Sequence, residues 1–320
     1  MKRGALEGTL IGIAIGDALG VPVEFRKRSE LQANPVTDFT GFGTHDQPPG
    51  TWSDDTSLTL CLVEALLDGL DYGRIAQKFV SWRYNGYMTA HGETFDIGNA
   101  TAQAIFRLRA GCEPTLAGDL DEHANGNGSL MRIAPIAFFT SSMELETRRR
   151  IVFDVAGITH GHPRSKFGCW LFTEFLRNIA RGQSKEEALS VAHASIQSWV
   201  DAQGPGITEW IHFARCTPLI QDLPMEEIKS TGYVVHTLEA SLWCFLRSET
   251  FADAVLAAVN LGDDTDTTGA VAGAMAGAFY TTSTIPQRWI DQLAQMQMIR
   301  SLAERFCRVI VACEQSENQP

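Results

Sequence analysis

Two short acidic stretches hold the densest set of reactive side chains in this 320-residue chain. Trp52-Ser53-Asp54-Asp55-Thr56 leads into one apolar run, and Asp263-Asp264-Thr265-Asp266-Thr267-Thr268 leads into another. Carboxylates and hydroxyls are hard oxygen donors, suited to Mg²⁺, Mn²⁺ or Ca²⁺ over zinc. Helix capping is the rival explanation, because a Ser or Asp at a helix start satisfies free N–H groups and the helix dipole. One carboxylate suffices for that. Asp54 with Asp55, and Asp263, Asp264 and Asp266 together, exceed the need. Neighbouring carboxylates repel one another unless a cation neutralises them. No basic residue stands beside either cluster. The pair predicts a divalent-metal hydrolase with its cation site between two helix starts.

Three familiar metal motifs fail. An EF-hand loop begun at Asp264 would place Asp266, Thr268 and Gly269 correctly, but Met275 stands where the bidentate Glu is required. The helical isoprenoid-synthase pattern DDxxD is met neither after Asp54-Asp55 nor after Asp263-Asp264. HExxH is absent, and His160 and His162 are too close in sequence to replace it.

The elements that position these clusters read as helices. Apolar spacing at i, i+3, i+4 marks 57–69, 74–84, 97–110, 150–160, 166–181, 185–201, 233–247, 251–260, 268–280 and 287–313. No alternating strand or hairpin is evident, so the fold class expected is all-α. The domain expected is a single one over 1–314, with a loose tail at 315–320. Gly4, Gly8, Gly12, Gly16 and Gly20 recur every four residues, as do Gly269, Gly273 and Gly277 with alanines beside them. Such a step makes a smooth stripe on a helix. Each glycine costs about 1 kcal/mol of helix propensity against alanine. Close backbone approach is the obvious compensation, which puts both helices at the centre of the fold.

Composition excludes several function classes. A net charge of −12 argues against electrostatic capture of nucleic acid or an anionic membrane. Seven cysteines, without a CxxC and mostly in apolar stretches, read as buried thiols in a reducing compartment. Glu7 and Asp17 interrupt the apolar N-terminal run, which is unusual for a signal peptide. No spanning helix is predicted. A cytoplasmic monomer is expected.

With these clusters the sequence resembles the ADP-ribosylglycohydrolase family. Six segments match in order: GxxxGxAxGDALG at 8–20 with Pro22-Val23-Glu24-Phe25, WSDDTS at 52–57, DIGNAT at 96–101, NGNGSLMR at 125–132, THGHP at 159–163, and GDDTDTTGAVAGAMAGA at 262–278. The resemblance implies a compact orthogonal helical bundle with a binuclear Mg²⁺ or Mn²⁺ cleft. It implies hydrolysis of the bond joining ADP-ribose to a protein side chain. It places Ser53, Asp54, Asp55, Asp264, Asp266 and Thr267 on metal positions; Ser53 stands where Thr is frequent and keeps the hydroxyl. Glu24 falls beside the metals and the scissile bond, and Asp96 and Asn99 on a loop lining the cleft. Asn127, Gly128, Ser129 and Met131 fall around ribose and diphosphate, and His160 near the phosphates.

Taken alone, the Gly126–Ser129 loop reads as a plain turn and His160 as an ordinary satisfied histidine. Phe39, Phe42 and Trp52 suit core packing as well as a cleft wall. In the mechanism expected, Asp55 or Glu24 assists proton transfer and Asp96 holds a cationic acceptor such as a modified guanidinium. The substrate expected is an ADP-ribosylated protein, most simply one modified on arginine. Serine-linked or other ADP-ribose conjugates stay open. So does a different class, a binding or immunity protein that neutralises an ADP-ribosyltransferase.

Overall fold

The computed structural model describes residue 2 and residues 4–317, with side chains to 312. It is all-helical. Fourteen α-helices follow one another: α1 Ala5–Gly20, α2 Arg28–Ala33, α3 Asp54–Leu66, α4 Tyr72–Asn85, α5 Asn99–Arg109, α6 Ala134–Phe139, α7 Leu145–Gly157, α8 Pro163–Ala180, α9 Lys185–Gln203, α10 Val234–Arg247, α11 Phe251–Val259, α12 Thr265–Tyr280, α13 Gln287–Gln292 and α14 Met296–Glu317. Only isolated β-bridges occur among the described residues. Of the expected tail at 315–320, residues 315–317 continue α14 and 318–320 lie outside the described residues.

The glycine stripes explain the centre. A Cβ added at Gly8, Gly12 or Gly16 would run into the carbonyl of Gly277, Gly273 or Gly269 respectively. The glycines of α12 meet the α1 carbonyls in the same way. The descending order makes the pair antiparallel, with backbone against backbone. α3, α6 and α14 pack around α1, while α8, α10 and α11 pack around α12. Ala5–Val23 is long and apolar enough to cross a membrane by composition, but it is 94% buried within the protein, as a core helix is.

The same register delivers the functional end. At the close of the seam Thr265 Oγ1 donates to the Gly20 carbonyl at 2.8 Å. Phe25 N–H donates to the Asp263 carbonyl at 2.7 Å, and Asp263 N–H to Arg26 O at 2.9 Å. Glu24 is thereby pinned against the start of α12.

One expected helix is two. The run 287–313 breaks between α13 and α14, where Ala294 N–H donates to Gly50 O and Trp52 Nε1 donates to Ala294 O. Gln295 takes a left-handed φ of 56°. These tertiary bonds replace the intrahelical ones, and no Gly or Pro announces the break. Trp52 is thus a buried strut, 1% exposed.

Candidate active site

Three chain segments converge on one cleft: the turn after α1, the start of α3 and the start of α12. α3 is capped partly from outside. Asp17, in the last turn of α1, accepts from Ser53 N–H at 2.8 and 3.0 Å, from Thr56 N–H at 3.1 Å and from Thr56 Oγ1 at 2.6 Å. Asp264, at the start of α12, makes no side-chain cap bond. Ser53 is the N-cap of α3, its Oγ accepting from Asp55 N–H at 3.4 Å, so capping accounts for the serine and leaves the carboxylates of Asp54 and Asp55 unexplained. Asp17 was missed by the sequence reasoning; its signal was an aspartate interrupting an apolar helix.

The remaining carboxylates crowd together. Asp55 Oδ2 accepts from Ser53 Oγ at 3.2 Å and from Thr267 Oγ1 at 3.4 Å. Asp264 Oδ2 accepts from Asn127 Nδ2 at 2.9 Å. Asp55 Oδ1, Asp264 Oδ1 and Asp266 Oδ2 are buried without any partner. Asp17, Asp55 and Asp266 approach one another closely enough to share one ion, and so do Glu24, Asp264 and Asp266. Asp266 belongs to both groups; Asp54 belongs to neither and lines the cleft beside Thr267. Burial, then mutual repulsion, holds Asp54, Asp55 and Asp266 well above the usual carboxylate range. Asp17 is pushed up to about 6 by burial, with its hydrogen bonds pulling against it. Unpartnered buried oxygens with no neutralising cation beside most of them fit hard divalent ions.

Glu24 stands at the cleft wall. Burial raises it to about 7, against the pull of His45, whose Nε2 is hydrogen-bonded to Glu24 Oε2. That bond raises His45 in turn, and Asp96 Oδ1 lies 3.9 Å from the same nitrogen. His45 also was missed. It lies in the Gly- and Pro-rich loop 34–50, where no periodicity distinguishes one side chain from another. The exposed Phe25 ring sits 6.3 Å from the His45 ring, and Phe95 sits 5.4 Å from it. Asp96 adopts a left-handed φ of 53° at the cleft edge.

The cleft has a volume of about 330 Å³, and Asp96, Asn99, Asn127, Gly128, Met131 and His160 all line it. The α5 start forms one wall. Gly98 caps it without a side chain, leaving first-turn N–H groups there for an anion. On the opposite wall Asn127 is a clamp: its N–H donates to Gly232 O at 3.0 Å, and its amide reaches Thr237 Oγ1 and Asp264. Gly128 has no room for a side chain, since a Cβ would press on His160 and Thr101. Ser129 differs from the expectation. It is fully buried beneath the cleft, where its Oγ accepts from Cys169 Sγ at 3.3 Å. Asp55, Ser53 and Asp266 likewise lie under the lining. A second recess, of about 520 Å³, shares Gly126 and Gly232 with the cleft and is bordered by Arg164 and Tyr233.

Known proteins resemble this chain in sequence and fold. The family model for ADP-ribosylglycohydrolase matches residues 2–316. The chain is 35% identical over 306 residues to ADP-ribosylarginine hydrolase Tri1 of Serratia proteamaculans, covering 94% of this chain and 78% of that protein. It is 29% identical to the ADP-ribosyl-[dinitrogen reductase] glycohydrolase of Rhodospirillum rubrum, covering 89% of each. A solved structure described as an ADP-ribosylglycohydrolase-related protein complex superposes with a TM-score of 0.77 at 32% identity, covering 95% of this chain and 97% of that one. The shared fold and the length of these matches make the chain a member of the ADP-ribosylglycohydrolase family.

Proposed function

We propose that the protein is a divalent-cation-dependent hydrolase that releases ADP-ribose from modified arginine side chains of proteins. The observation that carries this reading is the set of buried, unpartnered carboxylate oxygens under a polar cleft. Similarity to proteins named ADP-ribosylarginine hydrolase supports the acceptor. Ser53, Asp54, Asp55, Asp264, Asp266 and Thr267 are the residues that would hold two Mg²⁺ or Mn²⁺ ions. When bound, such ions supply a Lewis acid that orients ribose hydroxyls and acidifies water.

The chain's own groups do the rest. Glu24, raised to about 7 and open to the cleft, can take a proton from water and return one to the leaving nitrogen. Asp55 is too deep for that exchange, with one oxygen occupied by Ser53 and Thr267. Asp96, at the edge beside two phenylalanines, suits a guanidinium, which stacks on aromatic faces and pairs with carboxylates. The α5 start and His160 offer N–H donors to diphosphate. The adjoining recess with Tyr233 gives the nucleoside room and an aromatic face.

The test is ADP-ribose release from arginine- and serine-modified substrates, with and without chelator. Release from the arginine substrate that stops with chelator and returns with Mg²⁺ or Mn²⁺ is expected. Release unaffected by chelation overturns the cation dependence, and preference for the serine substrate overturns the acceptor.

A further inference from the structure

Arg132 is fully buried, yet no carboxylate pairs with it among the described residues. Its Nη2 donates to Thr159 Oγ1 at 2.7 Å and to Val155 O at 3.2 Å, while its guanidinium lies 4.7 Å from the Phe79 ring centre. Thr159, also fully buried, has one further side-chain partner, His160 Nδ1 at 3.0 Å. The ring then points towards the cleft loop: a Cβ on Gly126 or Gly128 would lie 3.4 Å from Nε2.

Proton counting fixes this chain of contacts. A guanidinium only donates, so it occupies one lone pair of Oγ1. The hydroxyl keeps one lone pair and one proton. If Nδ1 carried hydrogen, it would fill the second lone pair and strand the hydroxyl proton in a buried place without an acceptor. If Nδ1 is bare, the hydroxyl donates to it and both the hydroxyl and Nδ1 are satisfied, while Arg132 Nε and Nη1 stay buried without partners in either case. The ring is also held neutral, because burial, aided by Arg132, lowers His160 to about 3.

We infer that Arg132 and Thr159 are positioning residues that lock His160 as the Nε2–H tautomer, making it a fixed neutral donor to the anionic part of the ligand. The identity of that ligand rests on the function proposed above; the tautomer does not. Arg132 needs no acidic partner in this scheme, because its task is to orient one hydroxyl. A neutral donor of this kind binds phosphate equally across the range in which a free histidine would titrate.

Long-range ¹H–¹⁵N spectra of the ligand-free protein, with His160 assigned by comparison with His160→Gln, separate bare from protonated ring nitrogens. A bare Nδ1 and a protonated Nε2, unchanged from about pH 5.5 to 8, are expected on this burial. In Thr159→Val this signature is lost, KM for an ADP-ribosylated peptide rises about tenfold, the worth of one hydrogen bond to an anion, and kcat changes little. Thr159→Ser restores both readings. A protonated Nδ1 in the unaltered protein overturns the proposal without recourse to any variant. So does a Thr159→Val spectrum that keeps the Nε2–H signature, or an unchanged KM once that signature is lost. An unaltered protein that releases no ADP-ribose yet shows the Nε2–H signature removes the proposed function and leaves the tautomer established.

Discussion

Along the α1/α12 seam, small residues let two backbones touch, and a Cβ at almost any step meets a carbonyl. A few residues beyond, the same two helices frame Asp17, Glu24, Asp264 and Asp266, where burial raises every carboxyl and three oxygens in the neighbourhood lack partners. The seam is a place where local helix propensity is given up for packing. The acidic floor is a place where stability is given up for a ligand. Their adjacency is mechanical as well, since the rigid seam fixes the spacing of carboxylates that would otherwise spread apart.

The contrast can be broken most severely at the seam. Gly12→Val would drive a branched side chain into the Gly273 carbonyl and the Phe251 ring, and a loss of at least ~3 kcal/mol is expected. Calorimetry or denaturant unfolding reads it. A variant with unchanged melting temperature removes the packing account of the stripe. The opposite sign is expected on the floor. Asp54→Asn with Asp55→Asn should cut ADP-ribose release on the order of a thousandfold, from lost cation chemistry. In chelator the same variant should melt higher, by about 1 kcal/mol of stability, because two crowded charges are gone. Lower stability in chelator would show that the floor is not a repulsive site.

Acidity sharpens the comparison further. Asp17 at about 6 and Glu24 at about 7 keep protons that unfolded carboxyls release near 4. Cation-free protein therefore loses stability as pH rises from about 4 through 7, by about 1 kcal/mol per pH unit for each such group in its window. Added Mg²⁺ or Mn²⁺ should restore it above pH 7 and do little at pH 5. Melting curves with and without chelator at both pH values check this, and a cation effect equal at both contradicts it. The smallest effect is a control. Gly73 in α4 has only the Asp71 side chain near it, at 3.2 Å from an added Cβ. Gly73→Ala should stabilise by ~0.5 kcal/mol, as an ordinary helical glycine does.

Much of this architecture was legible in the residues. A four-residue glycine step has one common physical use in a helical protein, and both stripes predict central helices. Ser53-Asp54-Asp55 and Asp264-Thr265-Asp266-Thr267 showed an excess of carboxylate over any capping need. Asp17 and His45 were not read as functional, because their partners lie on other elements: Ser53 and Thr56 for one, Glu24 for the other. Ser129 looked like a loop donor, and only the packing of α8 shows that it turns inward to Cys169. The break before α14 depends on Gly50 and Trp52, far away in sequence. What escaped the sequence is what tertiary contacts decide.

The pairing of α1 with α12 also has a bearing on how the chain is born. α1 begins at Ala5 and α12 ends at Tyr280, so the central seam joins distant segments, 245 residues apart at Gly20 and Thr265, and α1 is made well before α12. Until α12 emerges, the apolar face of α1 has no permanent partner, and closing so long a loop is slow. An emerging polypeptide of this design carries the apolar α1 exposed until α12 follows, a natural client for chaperones that bind near the ribosome exit. The site, lying at the end of that seam, can acquire its ligands only after the start of α12 has been made.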